Sequence, residues 1–181
     1  MPVQIGAKAH DFSDPTGLLS DCHRRIEMFL GSLQRVAELI DSPLNSDMRS
    51  SLESALRYFY EAAPKHTQDE EESLFPLLRQ IHRPDVENAV TTLDALEGDH
   101  RRAGALHDEV HALGQQCLDQ GHLEPHLADR FRQALTDLAL IYSEHIRIED
   151  SIVFPAAQRT LSSSQKAAIA SEMASRRDLV R

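Results

Sequence analysis

Apolar residues recur along this chain at alternating steps of four and three, the spacing that keeps them on one face of an α-helix. The first stripe is Leu19, Ile26, Leu30, Leu33, Ala37 and Ile40, with His23 set inside it. Asp14-Pro15 reads as its start, with Asp as N-cap and Pro at the first helical position. Asp41 to Ser46 is a turn, and Ser46 or Asp47 can cap a second helix over about 47–80. That helix carries Leu52, Leu56, Phe59, Ala63, His66, Glu70, Leu74 and Leu77 on one face, and Pro64 predicts a kink just before His66. A third helix, about 85–119, carries Leu93, Leu96, His100, Ala103, His107 and Val110. A fourth, about 125–159, carries Leu135, Leu138, Tyr142, His145, Glu149 and Ile152. Ser162 to Gln165 is a capping-box pattern that opens a short fifth helix. Residues 1–14 are polar and aperiodic and read as an irregular arm. Four long amphipathic helices with short turns predict an all-α fold: an up-down-up-down antiparallel four-helix bundle over 15–159, then a short C-terminal helix and tail over 160–181.

The polar residues inside these apolar stripes are unusual in kind and in placement. His23, His66, His100 and His145 each stand between 17 and 20 residues from the neighbouring turns. At about 1.5 Å of rise per residue, differences of two or three residues amount to ~3–5 Å along the bundle axis. All four imidazoles therefore fall near one level. Two of them open a His-x-x-x-Glu motif, His66 to Glu70 and His145 to Glu149, and Phe-Pro follows each at the same offset. Residues four apart lie one turn apart on one helix face, so each motif aims an imidazole and a carboxylate at one point. The order is duplicated: Asp-Cys-His23-Arg-Arg resembles Asp-His100-Arg-Arg, and the following His-x-x-x-Glu motif opens after 43 residues in the first half and 45 in the second. Two hairpins related by a pseudo-two-fold would bring both halves to a common centre.

Composition narrows the picture. The 181 residues include only seven Gly, and β-branched residues rarely cluster, which favours helix over sheet. A net charge of −10 argues against a nucleic-acid partner. Cys22 and Cys117 form no metal or redox spacing and suit a reducing compartment. The first 17 residues lack an apolar signal-peptide core, and no run approaches the ~18 apolar residues of a membrane span. The expectation is a cytoplasmic protein with no membrane partner.

Buried charge needs compensation. A His–Glu hydrogen bond inside the bundle would account for any one pair taken alone. Six such side chains at one level point to metal, since neutral imidazole and ionised carboxylate suit iron, manganese or zinc. Six donors from four helices, two of them carboxylates able to bridge, suit two ions better than one. The lack of Cys ligands argues against a finger-type structural zinc.

The order His23, His66-x-x-x-Glu70, His100, His145-x-x-x-Glu149, with Phe-Pro after each pair, resembles the hemerythrin-like (HHE cation-binding) family over roughly residues 15–158. That resemblance implies a four-helix bundle with a non-haem di-iron centre. Glu70 and Glu149 would bridge the ions, His23, His66, His100 and His145 would be terminal ligands, and an open position would take O₂ or a related small ligand. The chain departs from the oxygen carriers of that family at Gly104, where they have a second histidine four residues after the one on the third helix. They also use an Asp five residues after the last His; that slot is Asp150 here, but helix geometry prefers Glu149. Water, Glu27 or an exogenous ligand could fill the place left by Gly104. Of the remaining residues, His107 reads as a hydrogen-bonded core histidine, and Tyr142 as packing or bonding near the site. His10, His82, His111, His122 and His126 read as surface. Asp69 to Glu72 read as a solvated face apart from Glu70, and Cys22 as inert.

The expected function is binding or sensing of O₂, NO or peroxide at an open metal position, with no catalytic residues beyond the ligands. The alternatives are a di-iron enzyme that reduces peroxide or NO, and a metal-storage or structural zinc-binding bundle.

Overall fold

A computed structural model describes residues 10–179, so residues 1–9 of the expected arm and the last two of the expected tail lie outside the described residues. The structure is all-helical: α1 Pro15–Glu38, α2 Ser46–Glu61, α3 Ala63–Gln68, a π-helical turn Asp69–Leu74 (π1), α4 Phe75–Arg79, α5 Pro84–Gln120, α6 Pro125–Ile148, a second π-helical turn Glu149–Val153 (π2), α7 Phe154–Thr160 and α8 Ser163–Ser175. No described helix is long and apolar enough to cross a membrane.

The ends follow local chemistry. Asp14 accepts from the Gly17 N–H at 3.0 Å and Pro15 opens α1. The cap of α2 is Asn45, not Ser46 or Asp47: its Oδ1 accepts from the amides of Asp47 and Met48 at 3.0 and 2.9 Å. An amide oxygen one residue earlier reaches two otherwise unpaired N–H groups at once. Gly121, at φ 79°, closes α5 in the left-handed region that favours glycine. Its carbonyl accepts from the Leu44 amide at 2.9 Å, which ties the first and third turns together. Ser162 and Gln165 form the reciprocal capping box at the start of α8.

The expected second and fourth helices are not continuous. The second breaks at Ala62, two residues before Pro64, as a prolyl ring requires. Both then widen into a π turn immediately before Phe-Pro. Pro76 and Pro155 have no N–H, and each ring would collide with the carbonyl four residues back. The preceding turn accommodates this by widening, so that the Phe75 amide bonds to the Glu70 carbonyl and the Phe154 amide to the Glu149 carbonyl, five residues back.

α1 packs on α2 and α6, and α5 packs on α2 and α6, so these four helices close a ring of contacts. Two apolar clusters fill the interior. One contains Ile26, Leu33, Leu52, Ala103, Phe131 and Ile146; the other contains Leu19, Leu74, Phe75, Leu96, Val153 and Ile169. Along each helical leg of the ring the change from one cluster to the other falls at the polar motif. His23 lies between Leu19 and Ile26, His66 and Glu70 between Ala63 and Leu74, His100 between Leu96 and Ala103, and Glu149 between Ile146 and Val153. The polar layer is thus a slab between two apolar cores.

Candidate metal centre

The structure brings all six expected residues together. His23, His66, Glu70 and Glu149 offer donor atoms within 4.8 Å of one another, and so do Glu70, His100, His145 and Glu149. The two groups share both glutamates. His66 Nε2 stands 3.2 Å from Glu70 Oε1, and His145 Nε2 stands 3.0 Å from Glu149 Oε2. Across the bundle, His23 Nε2 is 3.1 Å from Glu149 Oε2 and His100 Nε2 is 3.3 Å from Glu70 Oε2. Nε2 of His100 and Nε2 of His145 face each other at 3.1 Å.

His23, Glu70 and Glu149 are fully buried, each 0 % exposed. Both oxygens of both glutamates and His23 Nε2 have no hydrogen-bond partner, despite these short approaches. Buried polar atoms are almost always paired, and an unpaired carboxylate costs several kcal/mol. Four carboxylate oxygens left unpaired and aimed into one space are what a cation site requires. The donor set fits a metal: imidazole nitrogen and carboxylate oxygen, with no thiolate.

Two of the four outer ring nitrogens are held by carboxylates. His23 Nδ1 donates to Asp150 Oδ1 at 2.9 Å and His100 Nδ1 to Glu71 Oε1 at 2.7 Å, while Asp99 Oδ2 lies 3.5 Å from His145 Nδ1. Such partners fix which nitrogen faces inward and raise its basicity. Asp150 therefore sits behind His23, where it also accepts from Ser20 Oγ at 2.8 Å and from Arg24, and is outside both donor groups. Glu27 pairs with Arg24 at 3.1 Å on the surface and takes no part.

Charge and burial oppose each other here. Burial disfavours the His23 imidazolium, but the hydrogen bond to Asp150 and the close Glu149 and Glu70 carboxylates outweigh it and carry the pKa up to about 11. For His100, burial is likewise overcome by Glu70, Glu149 and Glu71, which raise it to about 9. Burial wins at His66, which falls to about 4. Glu70, though buried, is held well below the usual carboxylate range by the surrounding imidazoles.

Two sequence expectations change. Asp69 is fully buried rather than solvated: Arg176 Nη1 donates to its Oδ1 at 2.9 Å and Arg177 Nη2 to its Oδ2 at 2.6 Å. This clamp joins the end of α8 to the residue before Glu70. Its neighbours Glu71 and Glu72 are also engaged, the latter with Arg176 at 3.2 Å. His111 is half-buried under Tyr60, ring centroids 5.1 Å apart, rather than free on the surface. His107 is hydrogen-bonded as expected: its Nε2 and the Tyr142 hydroxyl share a bond of 2.8 Å, which also resolves Tyr142 as bonded. His10, His82, His122 and His126 are exposed. Cys22 and Cys117 are free and buried.

A small inner cavity opens onto His23, His66, His100, His145 and Tyr142. The hemerythrin HHE cation binding domain matches residues 14–157 of this chain. The chain belongs to that family. An uncharacterized protein of Haemophilus influenzae is 26% identical over 174 residues, covering 93% of this chain and 92% of the relative. Membership in the HHE family implies binding of a metal cation, and the paired His/Glu groups are where this HHE domain can hold one. What the spacing could not reveal are Asp150 and Glu71 as partners of the ring nitrogens. A signal existed: each is an acidic residue directly beside a donor in sequence.

Proposed function

We propose that this chain is a non-haem di-iron protein that binds or senses O₂, or a related small ligand such as NO or peroxide. The observation that carries the reading is the pair of donor groups sharing both glutamates, with all four carboxylate oxygens buried and unpaired. His23 and His66 would hold one ion and His100 and His145 the other, with Glu70 and Glu149 between them. Each ion would then have four protein donors, fewer than the six that iron commonly takes, which leaves room for an exogenous ligand. Bound iron would supply the redox-active, small-ligand chemistry; the protein supplies imidazole nitrogens, which a metal would bind in place of their protons, ionised carboxylates and a setting between two apolar clusters.

An enzymatic reading, reduction of peroxide or NO, has one observation in its favour. Tyr142 lines the inner cavity, burial raises the pKa of its hydroxyl so that it keeps its proton, and that hydroxyl is bonded to His107. That pair is placed to hold or pass a proton beside the site.

The scaffold we propose is an up-down-up-down bundle over 15–159 with a short C-terminal helix, supported by the ring of helix contacts and the bond between the first and third turns. A cytoplasmic location and the lack of a nucleic-acid partner rest on the two unpaired thiols and the charge of −10. Elemental analysis with an electronic spectrum tests the core of the reading. Two irons per chain with oxo-bridge charge-transfer bands are expected; one colourless zinc per chain overturns it.

A further inference from the structure

Beside the inner cavity lies a second and much larger space that a diatomic ligand does not need. This cleft holds about 360 Å³ and is open to solvent between α5 and the α2–α3 break. Its walls are apolar, formed by Phe59, Tyr60, Ala63, Pro64, Ala103 and Gly104. Polar groups gather at its inner end: Thr67, His100 and Tyr142, with His107 alongside. Ala63, Thr67, His100 and Tyr142 border both spaces, so the cleft ends on the wall of the donor cluster.

Gly104 lies on the open side of the cleft. It stands four residues after His100, on the same face of α5. A Cβ added there would meet nothing within 4 Å. No packing demand explains a glycine in the middle of a 37-residue helix, where it costs about 1 kcal/mol relative to alanine. Tyr60 stands at the rim with 70 % of its surface exposed, an aromatic face already turned to solvent.

We propose that this cleft binds a small uncharged organic molecule, a single aromatic ring or comparable apolar body carrying one oxygen-bearing head group, with the head against Tyr142. Volume, lining and charge each support that class. An apolar cavity of about 150 Å³ already takes benzene, whereas a water molecule has ~30 Å³ in the liquid, so 360 Å³ suits a substituted ring rather than a diatomic. Tyr60 supplies exposed aromatic surface on the cleft wall, while Phe59 is stacked on His107 and adds buried apolar surface. The Tyr142 hydroxyl spends one hydrogen bond on His107 and keeps capacity for another, and His107 Nδ1 is buried with no partner. Asp108 at the border and the net charge of −10 disfavour an anion. What such a molecule would undergo beside the metals rests on the di-iron reading; that it binds does not.

Phenol is the probe and benzoate the charged control. Both are titrated into metal-free protein while the Gly104 amide is followed by ¹H–¹⁵N NMR. Saturable phenol binding is expected with a Kd on the order of 1 mM, the scale for seven heavy atoms, with benzoate at least about tenfold weaker. Gly104→Phe, whose ring fills the cleft, should abolish phenol binding without lowering the thermal midpoint, followed for that variant by ligand-observed NMR. Tyr142→Phe, which removes only the hydroxyl, should weaken phenol several-fold. No saturable phenol shift, equal affinity for benzoate, or parent-like phenol binding by Gly104→Phe each overturns the proposal. Metal content is measured separately. Two irons without phenol binding overturns the cleft alone, and phenol binding without two irons overturns the di-iron reading alone.

Discussion

If carboxylates behind the imidazoles orient the donors, removing one should weaken one ion and spare the other. Asp150 is the sharpest place to test this. Its Oδ1 receives the His23 Nδ1–H at 2.9 Å, and its remaining partners, Ser20 and Arg24, lie towards the surface. Losing such a partner costs about 10–100-fold in metal affinity, which is ~1.4–2.7 kcal/mol. Asp150→Asn keeps an acceptor oxygen for the imidazole but not the charge, so it should fall near the lower bound; Asp150→Ala removes both and should approach the upper. The Arg24 ion pair lost with it is partly exposed and contributes no more than ~1 kcal/mol, while the buried His23 N–H left unpaired by Asp150→Ala costs about 1–3 kcal/mol, so urea unfolding of the metal-free protein should show that loss without loss of the fold. Glu71→Gln is the mirror experiment, since Glu71 holds His100 at 2.7 Å. Anaerobic competition of iron(II) against a chromophoric chelator reads both. Asp150 variants should lose the ion held by His23 and His66 first, and Glu71→Gln the ion held by His100 and His145, each leaving about one tight metal per chain. The reasoning is refuted if either substitution weakens both ions equally, or if Asp150→Ala retains parent affinity.

Glu70→Ala removes a donor common to both groups and should abolish binding of at least one metal, whereas exposed His122→Ala should leave metal content unchanged; full occupancy in Glu70→Ala rules out a shared glutamate. Asp69→Ala strips a buried carboxylate from Arg176 and Arg177, so urea denaturation should show a loss of about 3 kcal/mol and early release of α8, the scale for breaking a buried pair. Burial lowers His107 from 6.5 to about 4, so the unfolded chain takes up this proton first as pH falls. Its contribution is fully present above pH 6.5 and is lost as pH drops towards 4, about 3 kcal/mol in all. His107→Gln should flatten the pH dependence of unfolding between those values; an unchanged slope counts against a buried neutral imidazole.

The parts of this protein that were legible in its sequence are those that local periodicity governs. His66 and Glu70 share a face because four residues make about one turn. The four histidines share a level because helix lengths between short turns constrain it, and no tertiary knowledge was needed. The π turns escaped for a definite reason. Phe-Pro was visible twice, but a proline in a helix permits a kink, an end or a widened turn, and only packing on both sides selects among them. Partner choice across the bundle was equally hidden. Asp69 to Glu72 is an acidic run whose four members diverge: one is clamped by Arg176 and Arg177 from more than a hundred residues away, one faces the donor cluster, one holds His100 and one pairs at the surface. Side-chain direction within a single π turn decides each fate, and periodicity of 3.6 does not describe that turn. Gly104 makes the same point at the site itself. As a letter it is a missing ligand, a gap in a set of donors. In the fold it is the open side of a cleft that ends on His100 and Tyr142, and the absence of a side chain becomes space that a ligand can use.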